Sequence, residues 1–141
     1  MSTAVRAALP AAVLSFFMLA VCGCGAHRST LPVLKVSERD FEIIAPRSVS
    51  AGEYHVIIHN DGPVAHELLI ARAEPGRLPV RDDGFTIKEE SIEPRLVGVL
   101  EPQLPGHNGV LTVALKPGKY VLFCNMAGHY AAGMQHTLQV R

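Results

Sequence analysis

Residues 120–134 read Tyr-Val-Leu-Phe-Cys-Asn-Met-Ala-Gly-His-Tyr-Ala-Ala-Gly-Met, and this stretch says most about the fold and the site. An apolar strand pattern ends at Cys124, four residues separate Cys124 from His129, and four more separate His129 from Met134. Small residues fill most of the intervening positions, so a tight loop can bring a thiolate, an imidazole and a thioether to one point. These soft donors suit copper. The stretch therefore predicts a metal-binding loop at the end of a strand.

A trigonal site of two histidines and one cysteine, with a weak axial methionine, needs a second histidine from elsewhere in the chain. His66 is the best candidate, because it follows the turn at residues 60–63 and begins an apolar strand pattern. We expect it to lie at the same end of the fold as the loop 124–134. The remaining histidines are expected to face solvent, to lie in turns or to belong to a tether; they are His27, His55, His59, His107 and His136.

The motif Cys-x4-His-x4-Met, preceded by Tyr-x-Leu-Phe and by a Pro-Gly-Lys turn, resembles the cupredoxins. Its two spacings are most similar to those of rusticyanin and sulfocyanin, and the stretch Asn60-x-Gly62-x3-His66-Glu67 resembles the first-histidine loop of that group. The resemblance covers residues 34–141. It implies one type 1 copper per chain, with His66, Cys124 and His129 as equatorial ligands and Met134 as the axial ligand. It also implies reversible Cu(I)/Cu(II) cycling without a small-molecule substrate.

The rest of residues 34–141 predicts an all-β domain. Runs rich in Val, Ile, Leu and Tyr recur between Gly and Pro turns, which is typical of short strands. The predicted strands are Leu34–Ile44, Glu53–Asn60, His66–Arg72, Arg95–Leu100, Gly109–Ala114, Lys119–Phe123 and Gln135–Val140. This spacing indicates a Greek-key sandwich or barrel of about seven to eight strands. The irregular segment 74–94 predicts a long excursion with a short helical turn.

The N-terminal residues predict export. Residues 7–21 are largely apolar but too short for a membrane span of about 20 residues, so residues 1–23 are interpreted as a cleaved signal peptide. The alternative is a retained anchor helix. The end of this segment resembles a bacterial lipoprotein signal, in which Cys24 fits acylation better than Cys22 because Gly23 stands directly before it. An ordinary signal peptide is the other possibility. Residues 24–33 then form a tether, and the domain 34–141 is held by lipid on the outer side of a membrane, facing the periplasm or the cell exterior.

Composition excludes several classes of protein. After removal of the signal, Cys124 is the one cysteine besides Cys24, so no disulfide framework can form, and a metal site explains the thiol. The 13 basic and 13 acidic residues balance and form no basic stripe, which argues against nucleic acid. Position 128 is Gly, so the second cysteine of a binuclear copper centre is absent, and structural zinc would need more Cys or paired His. The sequence shows no combination of nucleophile, base and orienting residue that would indicate an enzyme.

These features predict a monomeric one-electron carrier with a redox partner docking near His129. Neighbouring apolar residues are expected to form the docking patch; they are Pro63, Val64, Ala65, Met126, Ala127, Tyr130 and Ala131. Two alternatives remain open at this point. One is a lipoprotein that holds or delivers copper outside any electron flow, and the other is a subunit that feeds a larger oxidase or nitrite reductase.

Overall fold

The structure is a computed structural model that describes residues 30–75 and 77–141. The predicted signal peptide, the predicted acylation site Cys24 and the first part of the predicted tether, with His27, lie outside the described residues. Among the residues described, no helix has both the length and the apolar character needed to cross a bilayer.

Nine strands form two sheets in the described part of the chain. The strands are β1 (Val33–Arg39), β2 (Glu42–Ile44), β3 (Ser48–Val49), β4 (Gly52–Asn60), β5 (His66–Arg72), β6 (Leu96–Gln103), β7 (Asn108–Leu115), β8 (Gly118–Phe123) and β9 (Gln135–Val140). One sheet has the order β2-β1-β4-β7 and the other has the order β3-β9-β8-β5-β6. Neighbouring strands are antiparallel except for the parallel pairs β1–β4 and β3–β9. The predicted all-β sandwich is confirmed.

The predicted strand Leu34–Ile44 is wrong in one respect, because it is two strands. The chain turns at Asp40 and Phe41, and Phe41 adopts the left-handed conformation with φ 59°. Ile43 then pairs with Glu38 in an antiparallel hairpin. The apolar character continues through the turn, which is why the pattern resembled one strand. With the short β3, which the sequence did not indicate, the strand count rises from the expected seven to eight to nine.

The core lies between the two sheets. On β1 and β4 alternate residues are buried, as half-buried strands require. On β5, by contrast, Leu68, Leu69, Ile70 and Ala71 are all fully buried. Leu68 and Ile70 face the sandwich interior, whereas Leu69 and Ala71 belong to a second apolar cluster on the outer face of the sheet.

That second cluster is supplied by the segment between β5 and β6. Leu78, Ile87 and Ile92 of this segment are buried against Leu69 and Ala71. The segment includes α1 (Glu89–Ile92) and a 3₁₀ turn (Glu93–Arg95), so the predicted excursion with a short helical turn is present. It covers the outer face of the five-stranded sheet and thereby explains the continuous burial of β5.

The topology also fixes where the predicted ligands meet. Strands β5 and β8 are antiparallel neighbours, with Leu69 opposite Phe123. The first residue of β5, His66, therefore lies at the same end of the sheet as Cys124, which directly follows β8.

Candidate metal centre

Three of the four predicted ligands converge. The candidate donor atoms of His66, Cys124 and His129 all lie within 4.8 Å of one another, and they form the one such group of three within the described ranges. The two Nδ1 atoms of His66 and His129 are 3.2 Å apart. The Sγ atom of Cys124 lies 3.4 Å from Nδ1 of His129. Three donors of metal-binding type thus face a common point.

The loop that carries Cys124, His129 and Met134, here called the ligand loop (residues 124–134), is closed by main-chain hydrogen bonds. The Cys124 amide donates to the Met134 carbonyl at 3.2 Å, and the Met134 amide donates to the His129 carbonyl at 3.0 Å. Gly128 and Gly133 adopt φ values of 84° and 106°, which side chains disfavour. The small residues noted in the sequence therefore allow the chain to fold back on itself.

The turn at residues 60–63, which Asn60 holds by hydrogen bonds, supports the His66 ring. Buried Asn60 accepts a hydrogen bond from the Gly62 amide at 2.9 Å and donates to the carbonyls of Val64 and Gln103, each at 2.8 Å. The His66 ring packs against Gly62, where an added Cβ would stand only 2.6 Å from Nε2. The turn therefore determines the position of the ring, and glycine is required to make room for it.

The protonation state of the site in the absence of metal follows from its burial. Burial raises the pKa of the Cys124 thiol to about 11, although the backbone N–H groups of Glu67 and Met126 donate to the sulfur and act in the opposite direction. Burial likewise lowers the pKa values of His66 and His129, with Asp40 opposing this in both cases. The imidazoles are thus neutral, as metal ligation requires, and a bound cation would favour the thiolate.

Met134 lies fully buried in the same core cluster as Cys124, at the end of the ligand loop. This position agrees with an axial thioether, but donation by its sulfur stays a prediction. Two imidazoles, one thiolate and a nearby thioether are the donor set of a type 1 copper site. The residues present therefore fit copper.

His129 is the partly exposed member of the cluster, and one apolar side chain packs against its ring. The ring of Phe41 meets the His129 ring edge-on, with centroids 5.4 Å apart. Phe41 and Val64 are each about half exposed, at 50% and 48%. Tyr130, which was expected in this patch, is instead buried and packs against Phe123 with centroids 5.8 Å apart. Phe41 was missed because the sequence pattern placed it inside a strand.

The segment between β5 and β6 bonds the ligand loop through Asn125, a feature that the sequence did not predict. The Ile87 amide donates to Oδ1 of Asn125 at 2.5 Å, and Nδ2 of Asn125 donates to Oε1 of Glu89 at 2.6 Å. The Gly128 amide donates to the Phe85 carbonyl at 2.9 Å. A polar residue directly after Cys124 was the only sequence signal for these contacts.

The other histidines within the described residues lie outside the cluster and bond elsewhere. His55 bonds Thr112, His59 bonds Asn108 and Asp61, His107 bonds the Pro105 carbonyl, and His136 bonds the Pro46 carbonyl. His66 is thus the one histidine among them that joins the donors of the ligand loop.

Two facing sheets with a His-Cys-His cluster at one end define the class: the chain has the cupredoxin fold, as its sequence predicted. Auracyanin B matches it with a TM-score of 0.60 and 20% identity, over 79% of this chain and 91% of that one. Reduced auracyanin from Roseiflexus castenholzii matches with a TM-score of 0.57 and 15% identity, over 79% of this chain and 98% of that one. Reduced rusticyanin matches with a TM-score of 0.56 and 18% identity, over 79% of this chain and 81% of that one. No protein-family model and no curated protein sequence matches the chain.

Proposed function

We propose that this protein is a blue-copper electron-transfer protein that binds one copper ion per chain. The observation that carries the proposal is the convergence of His66, Cys124 and His129 at one end of a cupredoxin fold. Met134 is the proposed axial ligand. Copper held by these residues supplies a one-electron Cu(I)/Cu(II) couple.

The surrounding residues support electron transfer in three ways. The ligand loop and the turn at Asn60 hold the donors in one geometry, so little needs to rearrange when the charge changes. The two N–H groups that face the Cys124 sulfur stabilise its negative charge, and such hydrogen bonds tune the potential. Burial of Cys124 and Met134 excludes water from the thiolate side.

His129 is the proposed route for electrons, because it is the one member of the donor cluster that is not fully buried. The proposed docking patch for a redox partner is formed by Phe41, which packs against His129, and by the exposed residues Pro63, Val64 and Ala127 of the turn and the loop that carry the donors. Apolar patches mark interaction sites, and short-lived redox encounters use small interfaces.

Copper titration of the purified protein tests the site. We expect one copper per chain and an intense visible band from the thiolate–Cu(II) bond. Cys124→Ala should lose the band and remain folded, whereas the control His55→Ala should keep it, because His55 lies outside the cluster. An intense band that survives in Cys124→Ala would contradict the proposal. Loss of copper to a chelator faster than redox turnover would favour a copper-delivery protein instead.

Voltammetry tests the axial role of Met134. Any axial donor stabilises Cu(II) more than Cu(I), but a soft thioether does so less than a harder carboxamide oxygen, so Met134→Gln should lower the potential. Met134→Leu removes the axial donor and should raise the potential, because Cu(II) loses more than Cu(I) does. If both variants keep the wild-type potential, Met134 is not a ligand.

We also propose that the mature protein begins at an acylated Cys24 and works while anchored to a membrane. Two or more acyl chains give stable anchoring where a single chain is marginal. Intact mass of the membrane fraction should show the lipid, and Cys24→Ser should abolish it. A mature N-terminus elsewhere, without lipid mass, refutes this proposal but does not affect the copper site.

A further inference from the structure

Glu38 of β1 is a buried carboxyl group that is not one of the proposed copper ligands. Its side chain has no exposed surface, and neither carboxyl oxygen has a hydrogen-bond partner among the described residues. A buried polar group without a partner is costly, and such groups call for an explanation. Nε2 of His66 is likewise buried and likewise has no hydrogen-bond partner within the described residues.

The two groups face the same interior. On β1, Leu34, Val36 and Glu38 are the buried positions, so Glu38 points from its sheet into the sandwich. On β5, His66 has the same parity as the inward-facing Leu68 and Ile70, so it points into the sandwich from the opposite sheet. Glu38 therefore belongs to the interior that the His66 ring enters.

The two groups also lie at the same end of that interior. Glu38 is paired in register with Asn60, and its carbonyl accepts a hydrogen bond from the Asp61 amide at 2.7 Å. The next residue of the turn, Gly62, is wedged between the backbone of Arg39 and the Nε2 edge of the His66 ring. The edge of the ring that carries Nε2 thus faces the end of β1.

Metal binding makes a partner for Nε2 necessary. Nδ1 of His66 is the ring nitrogen that faces the other donors, at 3.2 Å from Nδ1 of His129. When Nδ1 binds a metal, the ring proton must sit on Nε2, which then becomes a buried N–H donor. Ligating histidines almost always donate this second N–H to a carboxylate, a carbonyl or a water molecule.

We propose that a carboxyl oxygen of Glu38 accepts the Nε2–H hydrogen bond of His66 when the metal is bound, forming a carboxyl–histidine–metal chain across the sandwich. This inference rests on the proposed copper site and deepens it. Glu38 is a positioning residue, because it acts on the metal only through His66. The bond fixes the tautomer and the orientation of the ring, and it satisfies two groups that otherwise have no partner.

The test compares three variants with wild type, using Cu(I) and Zn(II) alone as probes. Glu38→Leu removes the acceptor and should weaken binding of both ions by about 10- to 100-fold. Glu38→Gln keeps a carbonyl oxygen and should restore most of the affinity. Glu53→Gln is the control, because it removes an exposed carboxylate at the opposite end of β4 from Asn60. This control should bind as wild type does.

Nuclear magnetic resonance of the Cu(I)-loaded wild type gives a readout that needs no variant. The Nε2–H proton of His66 should be protected from exchange and show a nuclear Overhauser effect to the Glu38 side chain. Absence of that contact, or a folded Glu38→Leu that binds metal as tightly as wild type, overturns the inference. A wild type that binds Zn(II) without forming a blue copper site refutes the proposed function alone, and the Glu38 comparison then proceeds with zinc. A wild type that binds neither ion overturns both.

Discussion

At the scale of single residues, the metal site depends on the space available to the His66 ring as much as on the donor atoms. Gly62 has no neighbour that could yield easily, since a Cβ there would meet both the ring and the backbone of Arg39, the latter at 3.3 Å. The residue is buried in the turn that Asn60 holds. A single methyl group at this position must therefore move the ring.

Gly62→Ala should accordingly weaken metal binding about tenfold or more while costing about 1–3 kcal/mol of apo stability, as overpacking does. Gly106→Ala is the control: its φ of 74° makes a side chain unfavourable, but nothing lies within 4 Å of the added Cβ. This control should lose stability without losing affinity for the metal. Equal affinities in Gly62→Ala and wild type would show that the turn does not position His66.

At the scale of elements, the excursion between β5 and β6 does two things. It buries Leu69 and Ala71 on the outer face of the five-stranded sheet, and it bonds the ligand loop through Asn125 and Gly128. The backbone N–H of Asn125 donates to the carboxylate of Glu67. The ligand loop is therefore held between its own main-chain turns and a segment that arrives from elsewhere in the chain.

Asn125→Ala tests this arrangement. It leaves the buried Ile87 amide without its acceptor, so the apo protein should lose about 1–3 kcal/mol of stability. The ligand loop should also open more often, so copper should pass to a chelator faster than it does from wild type. Urea denaturation and the rate of copper loss measure the two effects. Arg81→Ala is the control, because it removes only the exposed pair with Glu90 and should change neither quantity appreciably.

At the scale of the whole molecule, the sequence predicted what is encoded locally and missed what depends on long-range contact. The alternation in β4 and the spacing of Cys124, His129 and Met134 are local patterns, and they placed the strands and the donor loop correctly. The hairpin at Phe41 was missed because its apolar residues continue the pattern of the preceding strand. Asn125 was missed because its significance comes from Ile87, which the fold brings to it over 38 residues, and Glu38 was missed because its burial depends on the packing of the two sheets.

The pH dependence of folding stability is a property of the whole molecule, and Glu38 should dominate one part of it. Burial, together with the charge of Glu67, raises the pKa of Glu38 from 4.5 to about 8. Between those two values the folded state retains a proton that the unfolded state has released. The contribution of Glu38 to the stability of the apo protein should therefore fall as pH rises through this range, by about 1.4 kcal/mol per pH unit.

Glu38→Gln isolates this contribution, because it keeps the shape of the side chain and removes its titration. The lowered pKa values of His66 and His129 act in the opposite sense below pH 6.5, but they are present in both proteins and cancel in the difference. Urea denaturation of both apo proteins from pH 5 to pH 9 should give a stability difference that grows in favour of Glu38→Gln up to about pH 8 and then levels off. A difference that stays constant over this range would mean that Glu38 is not buried as an uncharged acid, and its place in the sandwich interior would have to be revised.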